Sequence, residues 1–195
     1  MHDTEINIVR LTPEMSEDYL NFFDATPHST GKSEDKCYCV CWTSCSGDLE
    51  ACATSEKRRE TAMEYIKKQY IQGYLAYVGD RVVGWCNANV KSDCYECISW
   101  RMFMQNIKRE DKKVKSVFCF AVAPEYRGKG IAGKLLTRVC EDAKKEGFDF
   151  VEAYPNISFI DEEQDFMGPV SMYEKMGFVE EYKADGRCIM TKKFN

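Results

Sequence analysis

Between residues 117 and 134 the chain runs from an apolar stretch, Val117-Phe118-Cys119-Phe120-Ala121-Val122, through Arg127-Gly128-Lys129-Gly130-Ile131-Ala132-Gly133-Lys134 into a helical pattern. A strand, a glycine turn and a helix N-terminus together gather unpaired backbone N–H groups around an anion, and phosphate is the natural guest. Gly128-x-Gly130-x-x-Gly133 fits a dinucleotide-binding pattern, and Gly128-x4-Gly133-Lys134 approaches a P-loop. The P-loop needs Ser or Thr after the lysine to hold magnesium, and Leu135 stands there. Glu152 lies about 20 residues past Gly133, where a ribose-binding acid belongs. That pattern, however, opens a repeated βα series, and only one βαβ unit is visible here.

A second group of reactive side chains is the thiols. The chain has eleven cysteines. Cys37-x-Cys39-x-Cys41-Trp42 and Cys45 fall in a loop, 26–53, rich in Ser, Thr, Gly and Asp, with Cys94-x-x-Cys97 further on. Together they could make a thiolate zinc site, although Cys-x-Cys-x-Cys is irregular for one. A Cys/His nucleophile has only His2 and His28 to draw on, near a terminus and in a loop. Cys52, Cys86, Cys119, Cys140 and Cys188 sit singly in apolar or helical surroundings and read as small hydrophobes.

The elements that must position these residues follow from periodicity. Residues 5–11 alternate as a strand, and Thr12-Pro13-Glu14 starts a helix that Ala25-Thr26-Pro27 stops. A second helix spans about 55–72, with Met63, Ile66 and Tyr70 inward. Two β-rich runs, 74–78 and 81–86, flank Gly79-Asp80, a two-residue hairpin turn. A short helix is placed near 98–104, and a doubly buried central strand over 114–122. The helix after the glycine loop, about 130–146, buries Ile131, Leu135, Leu136, Val139 and Ala143, and a strand over 148–154 completes a right-handed βαβ unit. A helix at 169–176 and strands at 178–182 and 188–192, around Asp185-Gly186, finish a mixed α/β sheet of six or seven strands with about four helices.

Composition narrows the function classes. At 195 residues the chain suits one domain, 1–195. A net charge of -5 gives no basic surplus for nucleic acid or anionic membrane. Met1-His2-Asp3-Thr4-Glu5 does not read as a signal peptide, and no apolar run approaches the roughly 18 residues of a membrane span. A cytoplasmic protein with reduced thiols is expected.

Gly168-x4-Tyr173-x3-Gly177-Phe178, together with Val122-x-Pro124-x-x-Arg127-Gly128-x-Gly130-Ile131-Ala132, resembles the GNAT superfamily of acetyl-CoA-dependent N-acetyltransferases. The resemblance runs from residue 5 to 192 and is loose over 26–53 and 90–113. It implies the GNAT fold, with a bulge splaying the strand before the loop. Backbone groups of Phe120, Ala121 and Val122 then hold the pantetheine arm and thioester, and the amides of Arg127, Gly128, Lys129, Gly130, Ile131 and Ala132 hold the pyrophosphate. Tyr173 is the implied general acid toward the coenzyme A sulfur, and Asn156 resembles a coenzyme-binding asparagine, ten residues further from the tyrosine than is usual. For the general base Glu152 leads, with Glu125 and an acid within 161–165 open beside it. The implied co-substrate is acetyl-CoA, with no metal, and the acceptor is an amine of a small molecule or peptide. A monomer or a homodimer paired through an exposed final strand is expected. The competing reading is a coenzyme A-binding or thiol/zinc sensor protein without turnover.

Overall fold

The computed structural model describes residues 5–27, 31–43, 49–103, 109, 111–158, 165–184 and 186–194. Among them seven strands form one sheet: β1 (Asn7–Arg10), β2 (Gly73–Val78), β3 (Arg81–Val90), β4 (Val114–Val122), β5 (Phe150–Ala153), β6 (Val179–Ala184) and β7 (Arg187–Lys193). Their order is β1-β2-β3-β4-β5-β7-β6. Only β4 and β5 run parallel, as a strand–helix–strand crossover requires; every other neighbouring pair is antiparallel. Gly79, at φ 57°, makes the tight turn between β2 and β3.

Among the described residues, five α-helices cover the sheet: α1 (Ser16–Ala25), α2 (Ser55–Lys67), α3 (Ile98–Phe103), α4 (Ile131–Lys145) and α5 (Val170–Lys175). α4 buries Ile131, Leu135, Leu136, Val139 and Ala143 on one face of the sheet, and Tyr173 of α5 joins the same core. α1 and α2 close the opposite face through Tyr19, Leu20, Phe23 and Ile66 around Trp85. A third cluster on Phe118 joins Trp42, Trp100, Tyr154, Met167 and Ile189.

Two expectations are corrected. α2 ends at Lys67 because Gln69 turns left-handed at φ 58°, so Tyr70 lies beyond the helix and is exposed rather than inward. The final strand is not an edge: β7 inserts between β5 and β6, which leaves β6 as the edge with Val179 exposed. No helix among the described residues is long and apolar enough to cross a membrane.

Candidate active site

The site begins where β4 and β5 part. They pair from Val114↔Phe150 to Val117↔Ala153, and there the pairing stops. β5 gives way to Tyr154-Pro155, and proline has no N–H to continue a ladder. β4 runs on to Val122 but is bulged, because Asn87 faces Cys119 and Ala88 faces Val117, leaving Phe118 unmatched. The extra residue shows in the packing. Val117 and Phe120 lie on the α4 face, while Phe118 and Cys119 both turn to the other. Phe118 is clamped between Trp42, 5.2 Å away at 15°, and Tyr154, 5.6 Å away at 14°, so the aromatic stack pins the bulge.

Beyond the bulge, the antiparallel ladder decides which peptide groups are open. Ala123 N–H donates to Val83 on β3, while Phe120 N–H donates away from β3 to Phe166 at 2.7 Å. Alternation therefore turns Phe120 and Val122 toward the gap and Ala121 toward β3. Of the three strand residues expected to hold the pantetheine arm, Ala121 has its backbone in the sheet. Phe120 N–H is already engaged by the loop before α5.

A cavity of about 820 Å³ lies along the splayed end of β4. Its floor is Phe120, Ala121 and Val122, and one end is the glycine loop, with Arg127, Gly128, Gly130, Ile131 and Ala132 all on the wall. Gly128 and Gly130 take φ 70° and 76°, and a Cβ on either would meet no protein atom within 4 Å. α4 starts directly after Gly130 with no side chain capping it, so its first N–H groups face the cavity end with the positive pole of the helix. Those are the features an anionic pyrophosphate fits. Lys129 does not add its side chain to the wall; its ammonium lies over the Tyr126 ring, 4.9 Å from the centroid.

The other end is built on the face opposite α4 by Phe23, Cys41, Trp42 and Ser99, with Asp165 and Phe166 between the two ends. Asp165 is the only carboxylate among the described residues lining the cavity. It is nearly buried and receives a hydrogen bond from Asn156 Nδ2, while Arg187 donates to Asn156 Oδ1 at 3.0 Å. Asn156 is thus a support for Asp165 and does not itself line the cavity. Asp161, Glu162 and Glu163 lie outside the described residues.

Neither expected catalytic residue points into the space. Tyr173, adjacent to the wall residue Met172, is fully buried, and its hydroxyl donates to the Met167 carbonyl at 2.5 Å. Burial pushes its phenol well above the usual range, so it holds its proton. Glu152 is completely buried on β5, ion-paired to Lys91 through one oxygen and to Arg109 Nε at 2.6 Å through the other. It is the centre of an ion-pair cluster and does not line the cavity, which does not support its assignment as base. Glu125 is exposed and paired to Arg81 at 2.6 Å. Among the described residues no group of three His, Cys, Asp or Glu side chains converges as metal ligands, and Cys45 lies outside them.

With this geometry, comparison with known proteins is decisive. The chain matches the acetyltransferase (GNAT) family over residues 35–178. It is a member of the GNAT family. This GNAT chain is 26% identical over 132 residues to an uncharacterized N-acetyltransferase of Methanocaldococcus jannaschii, covering 66% of this chain and 54% of that protein. It therefore spans about half the length of that relative. Its fold is shared with the PaiA N-acetyltransferase of Thermoplasma acidophilum in complex with coenzyme A (TM-score 0.56, 18% identity, 97% and 99% of the two chains). It is shared too with the diaminobutyrate acetyltransferase EctA of Paenibacillus lautus, bound to L-2,4-diaminobutyric acid and coenzyme A (TM-score 0.53, 15% identity, 98% of each chain).

Among GNAT features the glycine loop and the 168–178 motif were readable from residue types. The bulge at Phe118 and the wall position of Asp165 were not. Asp165 was among the acids within 161–165 left open as general base, but nothing in the spacing singled it out from Asp161, Glu162 and Glu163.

Proposed function

We propose that the protein transfers the acetyl group of acetyl-CoA to an amine of a small molecule or peptide by direct attack within a ternary complex. One observation carries this reading: a single cavity joins the uncapped N-terminus of α4 to a buried carboxylate, Asp165, along the splayed end of β4. Acetyl-CoA supplies the activated thioester. The amides from Arg127 to Ala132 and the α4 dipole take the pyrophosphate, and the Val122 N–H and the Phe120 carbonyl take the pantetheine arm, the Val122 carbonyl being held by Arg127 Nε at 3.3 Å.

An amine near pKa 10.4 arrives protonated at neutral pH and must lose that proton before it attacks. Asp165 is the group that receives it, directly or through one water, and Asn156 with Arg187 fixes the carboxylate for that task. Tyr173 is the donor to the departing thiolate, a role carried by the motif it shares with the family. Its hydroxyl must first leave the Met167 carbonyl.

The test is release of free coenzyme A thiol from acetyl-CoA across a panel of amines, with wild type, Asp165→Asn and Tyr173→Phe. Asp165→Asn is expected to lower kcat by about 10²- to 10⁴-fold with acetyl-CoA binding retained. Unchanged turnover in Asp165→Asn removes it as the base. Saturable acetyl-CoA binding without thiol release from any amine favours the non-catalytic alternative.

A further inference from the structure

Cys41 and Cys52 stand with their sulfurs 3.2 Å apart. They belong to different single turns of 3-10 helix, Val40–Trp42 and Glu50–Cys52. Each turn is fastened by its own bonds: Thr43 N–H to the Val40 carbonyl at 3.2 Å in the first, Ala53 N–H to the Glu50 carbonyl at 3.1 Å in the second. Arg58 fixes one against the rest of the loop. Its guanidinium donates to the main-chain carbonyls of Cys52 and Lys36, both at 2.6 Å, and to that of Glu34. The apposition is therefore built by the backbone and not by two side chains drifting together.

The two thiols also differ from most of the others in access. Cys39, Cys86, Cys94, Cys97, Cys119, Cys140 and Cys188 are buried, whereas Cys41 and Cys52 are partly exposed. Cys41 lines the cavity, and the next residue, Trp42, stacks on the bulged Phe118. Cys52, read from sequence as an isolated small hydrophobe, is half of this pair.

We infer that Cys41 and Cys52 form a reversible intramolecular disulfide that restricts the amine end of the cavity. A disulfide has sulfurs about 2.05 Å apart, so closure needs a shift of roughly 1.2 Å, within reach of two short surface turns. The oxidant is a peroxide. The Cys52 sulfur attacks one peroxide oxygen, giving a sulfenic acid and one water; the Cys41 sulfur then displaces the second water and forms the S–S bond. Two thiols are oxidised, one peroxide is reduced, and a thiol reductant reverses the step. Cys41 keeps its proton because its S–H is directed at the Cys52 sulfur, which fits Cys52 as the attacking partner. Drawing Cys41 toward Cys52 carries Trp42 with it and shifts the wall opposite α4, leaving the glycine loop in place.

The effect on turnover rests on the acetyltransferase reading, but the bond does not, and the experiment separates them. The reduced full chain is treated with stoichiometric hydrogen peroxide, alkylated with iodoacetamide and mapped by non-reducing peptide mass spectrometry. Turnover and Trp fluorescence are followed before and after dithiothreitol. The expected result is a Cys41–Cys52 linked peptide, a several-fold rise in KM for the amine with KM for acetyl-CoA unchanged, and recovery on reduction. Cys52→Ser, which lies off the cavity wall, is expected to keep basal turnover and to lose the response to peroxide. Linkage of a different pair, or a Cys52→Ser variant that peroxide inhibits as it does wild type, overturns the inference. If no amine is acetylated, the mapped linkage and the Trp signal still decide whether the bond forms.

Discussion

Replacing Glu152 by Gln separates a general base from a buried ion-pair centre. Glu152 is fully buried, one oxygen on the ammonium of Lys91 and the other 2.6 Å from Arg109 Nε. Lys91 is itself enclosed, its ammonium 5.3 Å from the Trp100 ring centroid and 5.4 Å from that of Tyr154. Removing one member of such a pair leaves an uncompensated charge and costs about 3–5 kcal/mol. In a chain of this size that is a fall in Tm of roughly 6–20 °C. The pH dependence has a definite sign. Burial, opposed by Glu152, brings Lys91 from its ordinary 10.5 down to about 8, and loss of Glu152 lowers it further. The variant thus sheds the Lys91 proton at a lower pH than wild type. Its deficit is largest below that point and shrinks as the pH rises through about 8, where wild type also gives up the proton. Thermal unfolding from pH 6 to 9, with turnover measured well below Tm, is the assay. A variant with wild-type Tm and a hundredfold or greater loss of kcat would refute the ion-pair account and return Glu152 to the mechanism.

Lys115 offers the converse case: it is buried on β4, no carboxylate lies within ion-pair distance among the described residues, and burial lowers it to about 8. Lys115→Met is expected to stabilise by roughly 3 kcal/mol at pH 7. Since native Lys115 loses its proton above about 8 and the unfolded chain only near 10.5, wild-type stability rises across that window and the advantage vanishes above it, as denaturant titrations at pH 7 and 10.5 will show. At Gly73 an added Cβ would sit 2.0 Å from the Cys86 carbonyl oxygen and 2.4 Å from the Trp85 ring, so Gly73→Ala should lose about 3 kcal/mol or more in urea unfolding. Gly130 has the same left-handed backbone as other turn glycines but open space around it, so Gly130→Ala should cost only about 1–2 kcal/mol. The same variant should raise KM for acetyl-CoA several-fold in steady-state kinetics, and an unchanged KM would place the pyrophosphate elsewhere.

The sequence carried whatever depends on local pattern. The span of β4, Val114–Val122, and the turn at Gly79 follow from apolar continuity and from glycine at a two-residue loop, both properties of neighbouring residues. Insertion of β7 between β5 and β6 could not be read, because a strand's partners are set by register and packing over long sequence distances. The surroundings of Glu152 could not be read for a related reason: a carboxylate on a strand has the same spelling whether it faces a cleft or Lys91, 61 positions away. The Phe118 bulge was implied by the family resemblance and not by alternation, since Val117 to Phe120 is uniformly apolar. The juxtaposition of Cys41 and Cys52 depends on Arg58 folding three carbonyls toward one guanidinium, and no periodicity reports that.

The insertion of β7 also bears on the order in which the molecule can be made. The parting of the strands beside the cavity is set where β5 stops pairing with β4, yet β5 is four residues long and is held on its far side by Lys193, Lys192, Thr191 and Met190. While the ribosome still holds those residues, β5 has only the short parallel pairing with β4 to rest on. The helix and glycine loop that follow β4 can dock early, but β5 is paired on both sides only once nearly all of the described chain has been synthesised. Completing this half of the sheet is thereby a non-local and correspondingly slow last step in folding.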